Sequence, residues 1–238
     1  MPGSRLLRIA PSLALKEKRL AALLEQRTVS RDLLDEQVRD AQLLGSLELA
    51  GIPASWDEVK ASRGDGAAPG TVAALRRAQT AAFASSAPSV DALLAWHAEA
   101  TEARAGLRVS PRERAGAPPP APPEFVRSRL EALVDWLTAD SGRELRAPQR
   151  AALGLARFVE ILPFDDGNGR VSRLLASHLM TRAGARPPIL VGADRQRLEQ
   201  CLGAAFQLVM EPLALLFEEA SERALDVEIQ TVERYEGS

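Results

Sequence analysis

The sequence predicts an all-α protein, and three observations carry that expectation. Apolar residues recur at three- and four-residue spacing through most of the chain, the period of an amphipathic helix. Helix-start residues stand before several of those runs. Extended patterning is confined to Ile189-Leu190-Val191 and the residues around Val109. Aromatic residues are only 4% of the 238 while hydrophobic residues are 46%, so the core has to be built from Leu, Ala and Val.

In chain order, helical patterning covers 12–27 and then 30–48, with Ser30 as N-cap. Gly51, Pro53 and Ala54 end that run. Ser55-Trp56-Asp57-Glu58 reads as a capping box, in which the Ser hydroxyl and the Glu carboxylate each satisfy the other's backbone N–H, so a short helix should follow. Gly64-Asp65-Gly66 with Pro69 and Gly70 is a loop. Helices are expected again at 71–85, at 89–103 from Ser89, at 124–138, at 147–162 and at 170–183. Positions 194–224 read as one or two more, with Pro212 at a joint or start, and TVERYEGS as a frayed tail. Between them, residues 105–123 hold few apolar residues and many prolines, which by composition is a flexible connector of polyproline II character.

Composition also excludes functions. Thirty basic against 32 acidic residues, a formal charge of −2, give no surplus for electrostatic nucleic-acid binding. One cysteine, Cys201, permits no intrachain disulfide and no cysteine metal cluster, and its helical surroundings make it a small core residue. His97 and His178 stand too far apart in the chain for a zinc pair. The N-terminal stretch is broken by charges and does not read as a signal peptide. No apolar run is long enough to cross a bilayer, so a cytoplasmic protein away from membranes is expected.

The stretch that carries chemistry runs from Ile161 to Arg173. A helix ends, Pro163 blocks its continuation, and Gly167 and Gly169 flank Asn168 before a new helix starts. Backbone N–H groups at a helix start, open to close approach beside glycine, form an anion site. Arg170 and Arg173 are three apart, so both guanidinium groups can lie on one face and hold phosphate oxygens. Asp166 suits a magnesium ion bridging phosphates. DDGNG also has the composition of a plain surface turn, and the residue pattern alone leaves both readings open.

This stretch resembles the Fic motif, His-Pro-Phe, any residue, Asp or Glu, Gly-Asn-Gly-Arg, two residues, Arg. Pro163, Phe164, Asp166, Gly167, Asn168, Gly169, Arg170 and Arg173 match in register. Ala105-Gly106-Leu107-Arg108 is similar to the family's Gly-x-Tyr/Phe-Arg segment. The prolines leading into Pro123-Glu124-Phe125-Val126, and His97 within LLAWHAEATE, are similar to its neighbouring segments, so the resemblance covers about residues 30–220. It implies a Fic-type helical bundle with a small β-hairpin flap around Gly106, Leu107 and Arg108, where target chains dock. It divides the chain into an N-terminal helical region (1–65), a Fic domain (66–225) and a tail (226–238). It further implies AMP transfer from ATP to a protein hydroxyl, with Asp166 holding magnesium, Gly167, Asn168 and Gly169 cradling phosphates, and Arg170 and Arg173 on the distal ones.

Two positions depart from the family pattern. Leu162 stands where the family has the histidine that acts as base, and it continues an apolar stripe with Leu155, Phe158 and Val159. Asp165, at the motif's variable position, is the one candidate substitute base. Many relatives also carry an inhibitory helix with Ser or Thr, three residues, Glu, then Gly or Asn; Ser46, Ala50 and Gly51 fit that frame, with Ala50 at the Glu position. Glu48 is two residues off and faces another side of the helix. Three readings stand: a degenerate Fic domain that binds a nucleotide or other phosphate ligand with Mg2+ and acts through a partner; a transferase using a base other than histidine; and a structural interaction module. A homodimer is compatible with each.

Overall fold

The computed structural model describes residues 11–63, 68, 70–114 and 118–235. Among them are eleven α-helices and two short 3-10 turns, with no strand. In order the helices are α1 (Pro11–Gln26), α2 (Arg31–Ala50), α3 (Trp56–Ala61), α4 (Gly70–Ala84), α5 (Val90–Thr101), α6 (Val126–Thr138), α7 (Asp140–Arg143), α8 (Ala147–Ile161), α9 (Asn168–Arg182), α10 (Arg195–Phe206) and α11 (Glu211–Arg234).

The caps are those the sequence predicts. Ser30 Oγ accepts from Leu33 N at 3.2 Å, and Ser89 Oγ from Ala92 N at 3.0 Å. At α3 the box closes both ways: Ser55 N donates to Glu58 Oε2 (2.7 Å), and Glu58 N to Ser55 Oγ (3.2 Å). Pro212 lies in the first turn of α11. That helix runs ten residues past position 224, because Leu225, Ile229 and Val232 pack with Leu20 of α1 and Leu34 of α2 in a cluster of their own. Of the expected frayed tail, Thr231–Arg234 is helical and residues 236–238 lie outside the described residues. The expected loop at Gly64-Asp65-Gly66 and Pro69 also lies outside them.

The centre is the α8–α9 pair. Leu155 and Phe158 of α8 and Val171 and Leu175 of α9 are buried, and α2, α4, α5, α6, α10 and α11 surround them. Each such leucine or phenylalanine contributes about 1.5–3 kcal/mol of burial. Cys201 and His178 are in the core, as the helical pattern implies. Ile189-Leu190-Val191 is extended but unpaired as a strand; it runs against α2 so closely that a Cβ on Gly45 would meet Leu190 O at 1.8 Å. Only glycine fits there, and α2 is thereby drawn tight against the segment after α9.

Residues 105–114 and 118–122 have no regular secondary structure, so no hairpin is seen among the described residues, and Arg108 holds the segment against the end of α8. Pro118, Pro119, Pro120 and Pro122 have no N–H to give a ladder. The segment is held instead by an arginine. Arg108, buried at 2% exposure, donates from Nε to Leu162 O, from Nη1 to Ser110 O (2.9 Å), and from Nη2 to Ile161 O (3.2 Å) and Ala121 O. Its own N–H donates to Pro163 O at 2.9 Å. One cation thus satisfies carbonyls at the C-terminal end of α8, where the helix dipole is negative, and pins the flap to the loop that follows.

Candidate functional site

Helix α8 ends at Ile161, and Leu162 is its cap in left-handed backbone, φ 52°, ψ 64°. A leucine there is strained by about 1–2 kcal/mol. Its side chain does not extend the apolar stripe of Leu155, Phe158 and Val159. It is half-exposed and lines the cleft over the loop. The packing expected from the helical pattern is corrected by that one torsion, which turns the residue out of the helix.

From there the chain folds on itself. Asn168 Oδ1 accepts from Phe164 N (3.0 Å) and its Nδ2 donates to Phe164 O (2.8 Å), so one amide closes the loop from inside. Phe164 is buried and stacks on the His97 ring at 3.8 Å, and His97 Nε2 pairs with Asp166 O at 3.1 Å. Burial pushes the His97 pKa down, against the upward pull of that bond, and the nearby Arg170 adds to the fall. Gly167 has φ 75°, and a Cβ on it would meet Thr101 Cγ2 at 2.6 Å. Helix α9 begins without a side-chain cap. Its first amides are the orphan donors of a helix N-terminus and stand at the floor of a cleft of about 530 Å³.

Arg170 and Arg173 both line this cleft, in different settings. Arg170 is buried, donating from Nη1 to Ala100 O (2.7 Å) and from Nη2 to Asp166 Oδ2 (2.9 Å). Arg173 turns to α2, donating from Nε to Ser46 Oγ (3.0 Å) and from Nη2 to Ser46 O (2.9 Å). No carboxylate among the described residues pairs with it. Its pKa is pushed down to about 9 by burial first, then by Arg170 and Arg195. At neutral pH it is therefore still a cation, and one whose charge lacks a counter-charge.

Ala50, the last residue of α2, and Gly51, its left-handed cap, follow one turn after Ser46, and Ala50 lines the cleft. Glu48 is turned away, accepting from Gly192 N at 2.7 Å, with its carbonyl taken by Arg195. Asp165 is exposed and paired with Arg112 of the flap at 3.0 Å. Leu107 packs on the core, and Gly106 is open to solvent, with nothing within 4 Å of a Cβ. Asp166 has a side chain 86% exposed, one oxygen on Arg170. Among the described residues no three His, Cys, Asp or Glu cluster as a metal cage. Sequence reasoning missed the carbonyl contacts of Arg108, the Arg112–Asp165 pair and the grip of Ser46 on Arg173. The signal for Arg108 was the segment Ala105-Gly106-Leu107-Arg108, and that for Ser46 its place in the inhibitory-helix frame; nothing in the spacing points to the Arg112–Asp165 pair.

Known proteins are similar to this chain in sequence and in fold. Residues 87–180 match the sequence model of the Fic/DOC family. Residues 87–180 thus form a Fic/DOC-family segment of the chain. Protein adenylyltransferase fic-1 of Caenorhabditis elegans is 42% identical over 71 residues, 30% of this chain and 14% of that protein. Protein adenylyltransferase Fic of Nematostella vectensis is 33% identical over 117 residues, 49% of this chain and 27% of that one. The chain thus spans a minor share of the length of the curated relatives it matches. Among solved structures, C. elegans Fic-1 superposes with TM-score 0.74 at 21% identity, over 92% of this chain and 73% of that chain. A Fic-domain signalling protein of Bacteroides thetaiotaomicron gives 0.78 at 15% identity, over 95% and 100%. At those identities the likeness is one of fold.

Proposed function

We propose that this Fic domain binds a nucleotide or another phosphate-bearing ligand, with magnesium, in the cleft over Gly167, Asn168 and Gly169, and that it lacks AMP transfer at a normal rate. The observation that carries the reading is Arg173, a cation that no carboxylate among the described residues pairs with, lining the same cleft as the N-terminus of α9, which has no side-chain cap. A purely structural module has no use for an uncompensated arginine in a cleft, and the position where relatives carry an inhibitory glutamate is Ala50, too short to reach it.

Asp166 fits the metal. Magnesium is ordinarily held by one or two carboxylates plus substrate phosphates and water, not by a protein cage. Asp166 is a single exposed carboxylate at the edge of the anion site. When bound, the ion would offset negative charge on the phosphate. The amides of Gly169 and its neighbours would take the inner phosphate oxygens and Arg173 the outer ones. Arg170, already held by Ala100 O and Asp166, chiefly orients that aspartate.

Transfer to a hydroxyl needs a proton acceptor in hydrogen-bond reach, worth about 10²–10⁴ in rate. Leu162 offers none. The rival reading, a transferase with Asp165 as base, has in its favour that Asp165 lines the same cleft; its pairing with Arg112 and its exposure weigh against it. A protein partner docking on the flap fits either reading, since Val109 stands 85% exposed there.

Isothermal titration with ATP and with pyrophosphate, with and without Mg2+, tests the proposal. Binding is expected, and Arg173→Ala should weaken it by about 1.5–3 kcal/mol, the scale of hydrogen bonds to a charged group. No binding of either at millimolar concentration overturns the reading. Robust incorporation from labelled ATP by the unaltered protein overturns the claim about transfer.

A further inference from the structure

Resting on that reading of the cleft, the geometry points to Ser46 as the positioning residue of the anion site: α2 here presents Arg173 to the ligand, where the family frame would have it withhold the site. Two of the three guanidinium nitrogens, Nε and Nη2, are fixed on the hydroxyl and carbonyl of Ser46. The third, Nη1, has no protein acceptor among the described residues and stands 3.1 Å from where a Cβ on Gly169 would be. It is therefore turned to the phosphate loop, with the room that a glycine leaves. An arginine whose fork is held from behind loses little rotamer freedom when an anion arrives.

The support is keyed in register. Gln42 and Ser46 are one turn apart on α2, as are Arg173 and Ser177 on α9. Gln42 Nε2 donates to Ser177 Oγ (2.8 Å) and to Pro188 O (3.0 Å), while Ser46 takes Arg173. These are two rungs of one polar ladder between antiparallel helices. Behind Arg173, between the rungs, lies a cavity of about 30 Å³ lined by all four residues. No packed side chain fills that space, so the guanidinium can retreat into it once the serine hydroxyl is gone.

The experiment is titration of pyrophosphate with Mg2+ into the full chain and its variants. Ser46→Ala is expected to weaken binding about tenfold, at the low end for a hydrogen bond to a charged group, and Ser46→Thr to restore it. In an Arg173→Ala background, Ser46→Ala should cause no further loss, a coupling that a general loosening of the fold would not give. Ser177→Ala removes the other rung and should lower the melting temperature without changing affinity. Alanine favours a helix interior, so Ser46→Ala is expected to fold; Ser46→Cys, of nearly the same volume but a poor acceptor, repeats the measurement with the same expected direction. Affinity of either variant within twofold of the unaltered protein overturns the role of Ser46 and leaves the phosphate site standing. If the unaltered protein binds neither pyrophosphate nor ATP, the site reading fails and the role of Ser46 fails with it.

Discussion

The two sides of the cleft contrast. On the α9 side, every group that would hold a phosphate is built with tight tolerance. Gly167 has no room for a methyl, Asn168 closes the loop with both ends of its amide, and Arg173 is aimed by Ser46. On the α8 and flap side, where the proposed reading would have a proton taken, Leu162 is strained and the Asp165 carboxylate is tied to a surface arginine. A buried arginine that no carboxylate among the described residues pairs with costs stability to keep. On the proposed reading, that cost beside Leu162 separates ligand binding from transfer.

The largest test of that contrast is Leu162→His. The cap is already left-handed, a region in which histidine is found more often than leucine, and its side chain lines the cleft. The substitution should cost less than about 1 kcal/mol, since no core contact is lost. If the α9 side is intact, a base restored here should raise transfer of AMP by about 10²–10⁴, seen first as self-modification by labelled ATP. A folded Leu162→His protein that binds ATP–Mg2+ and transfers nothing would show that the two sides have drifted together.

Next is Gly167→Ala. The added Cβ would stand 2.6 Å from Thr101 Cγ2, and Thr101 is locked by its hydroxyl bond to His97 O at 2.7 Å. Strain at positive φ and overpacking together should cost about 2–3 kcal/mol in denaturant unfolding, with loss of pyrophosphate binding. Gly106→Ala on the flap, where a Cβ meets nothing within 4 Å, should stay within about 0.5 kcal/mol. Equal costs at the two glycines would erase the contrast in tolerance.

The same residues show what was readable in the sequence. The helices were legible because each carries a 3.6-residue apolar stripe and several start at a Ser cap, as at Ser30, Ser55 and Ser89. Four-residue α7 was not, since no period fits into one turn. The motif was legible as spacing, from Pro163 to Arg173. The backbone of Leu162 was not: the stripe through Phe158 and Val159 continues smoothly onto it, and only the φ of 52° takes it out of the helix. By composition Arg108, Arg112 and Arg114 are charges in a proline-rich connector, and only the family resemblance places Arg108 in a flap. Arg108 and Arg114 are instead anchors whose partners are main-chain carbonyls of Ile161, Leu162 and Val159, and a carbonyl carries no sequence signal.

A third, smaller effect divides the regions by pH. His97 under the loop and His178 in the core both have pKa values depressed by burial. At His97, Arg170 lowers it further while Asp166 and Asp165 pull upward. At His178, Arg182 and Arg150 lower it while the bond to Ala82 O pulls upward. The unfolded chain therefore takes up protons that the native protein refuses, starting below the ordinary histidine value near 6.5. Stability should be fully present above that pH and decline as pH falls through the window between it and the depressed native values. Carboxylates with lowered pKa, Asp194 and Glu219, add their loss only at more acid pH. Denaturant midpoints at pH 7.5, 6.5 and 5.5 measure it; a midpoint that rises toward pH 5.5 contradicts the assignment.

The smallest expected effect is the sharpest on mechanism. Asp165→Ala removes an ion pair whose two side chains are 60% and 47% exposed. Such pairs contribute less than about 1 kcal/mol, because water and salt already screen both charges and ordering two mobile side chains costs entropy. Unfolding should barely change, and pyrophosphate affinity should hold or rise slightly as Arg112 is freed to face the cleft. In the Leu162→His background, transfer should persist, since the proton would then go to the imidazole. Loss of transfer there, with binding and stability unchanged, would make Asp165 part of the chemistry and move the proposed function of this cleft from the phosphate side to the side where Leu162 stands.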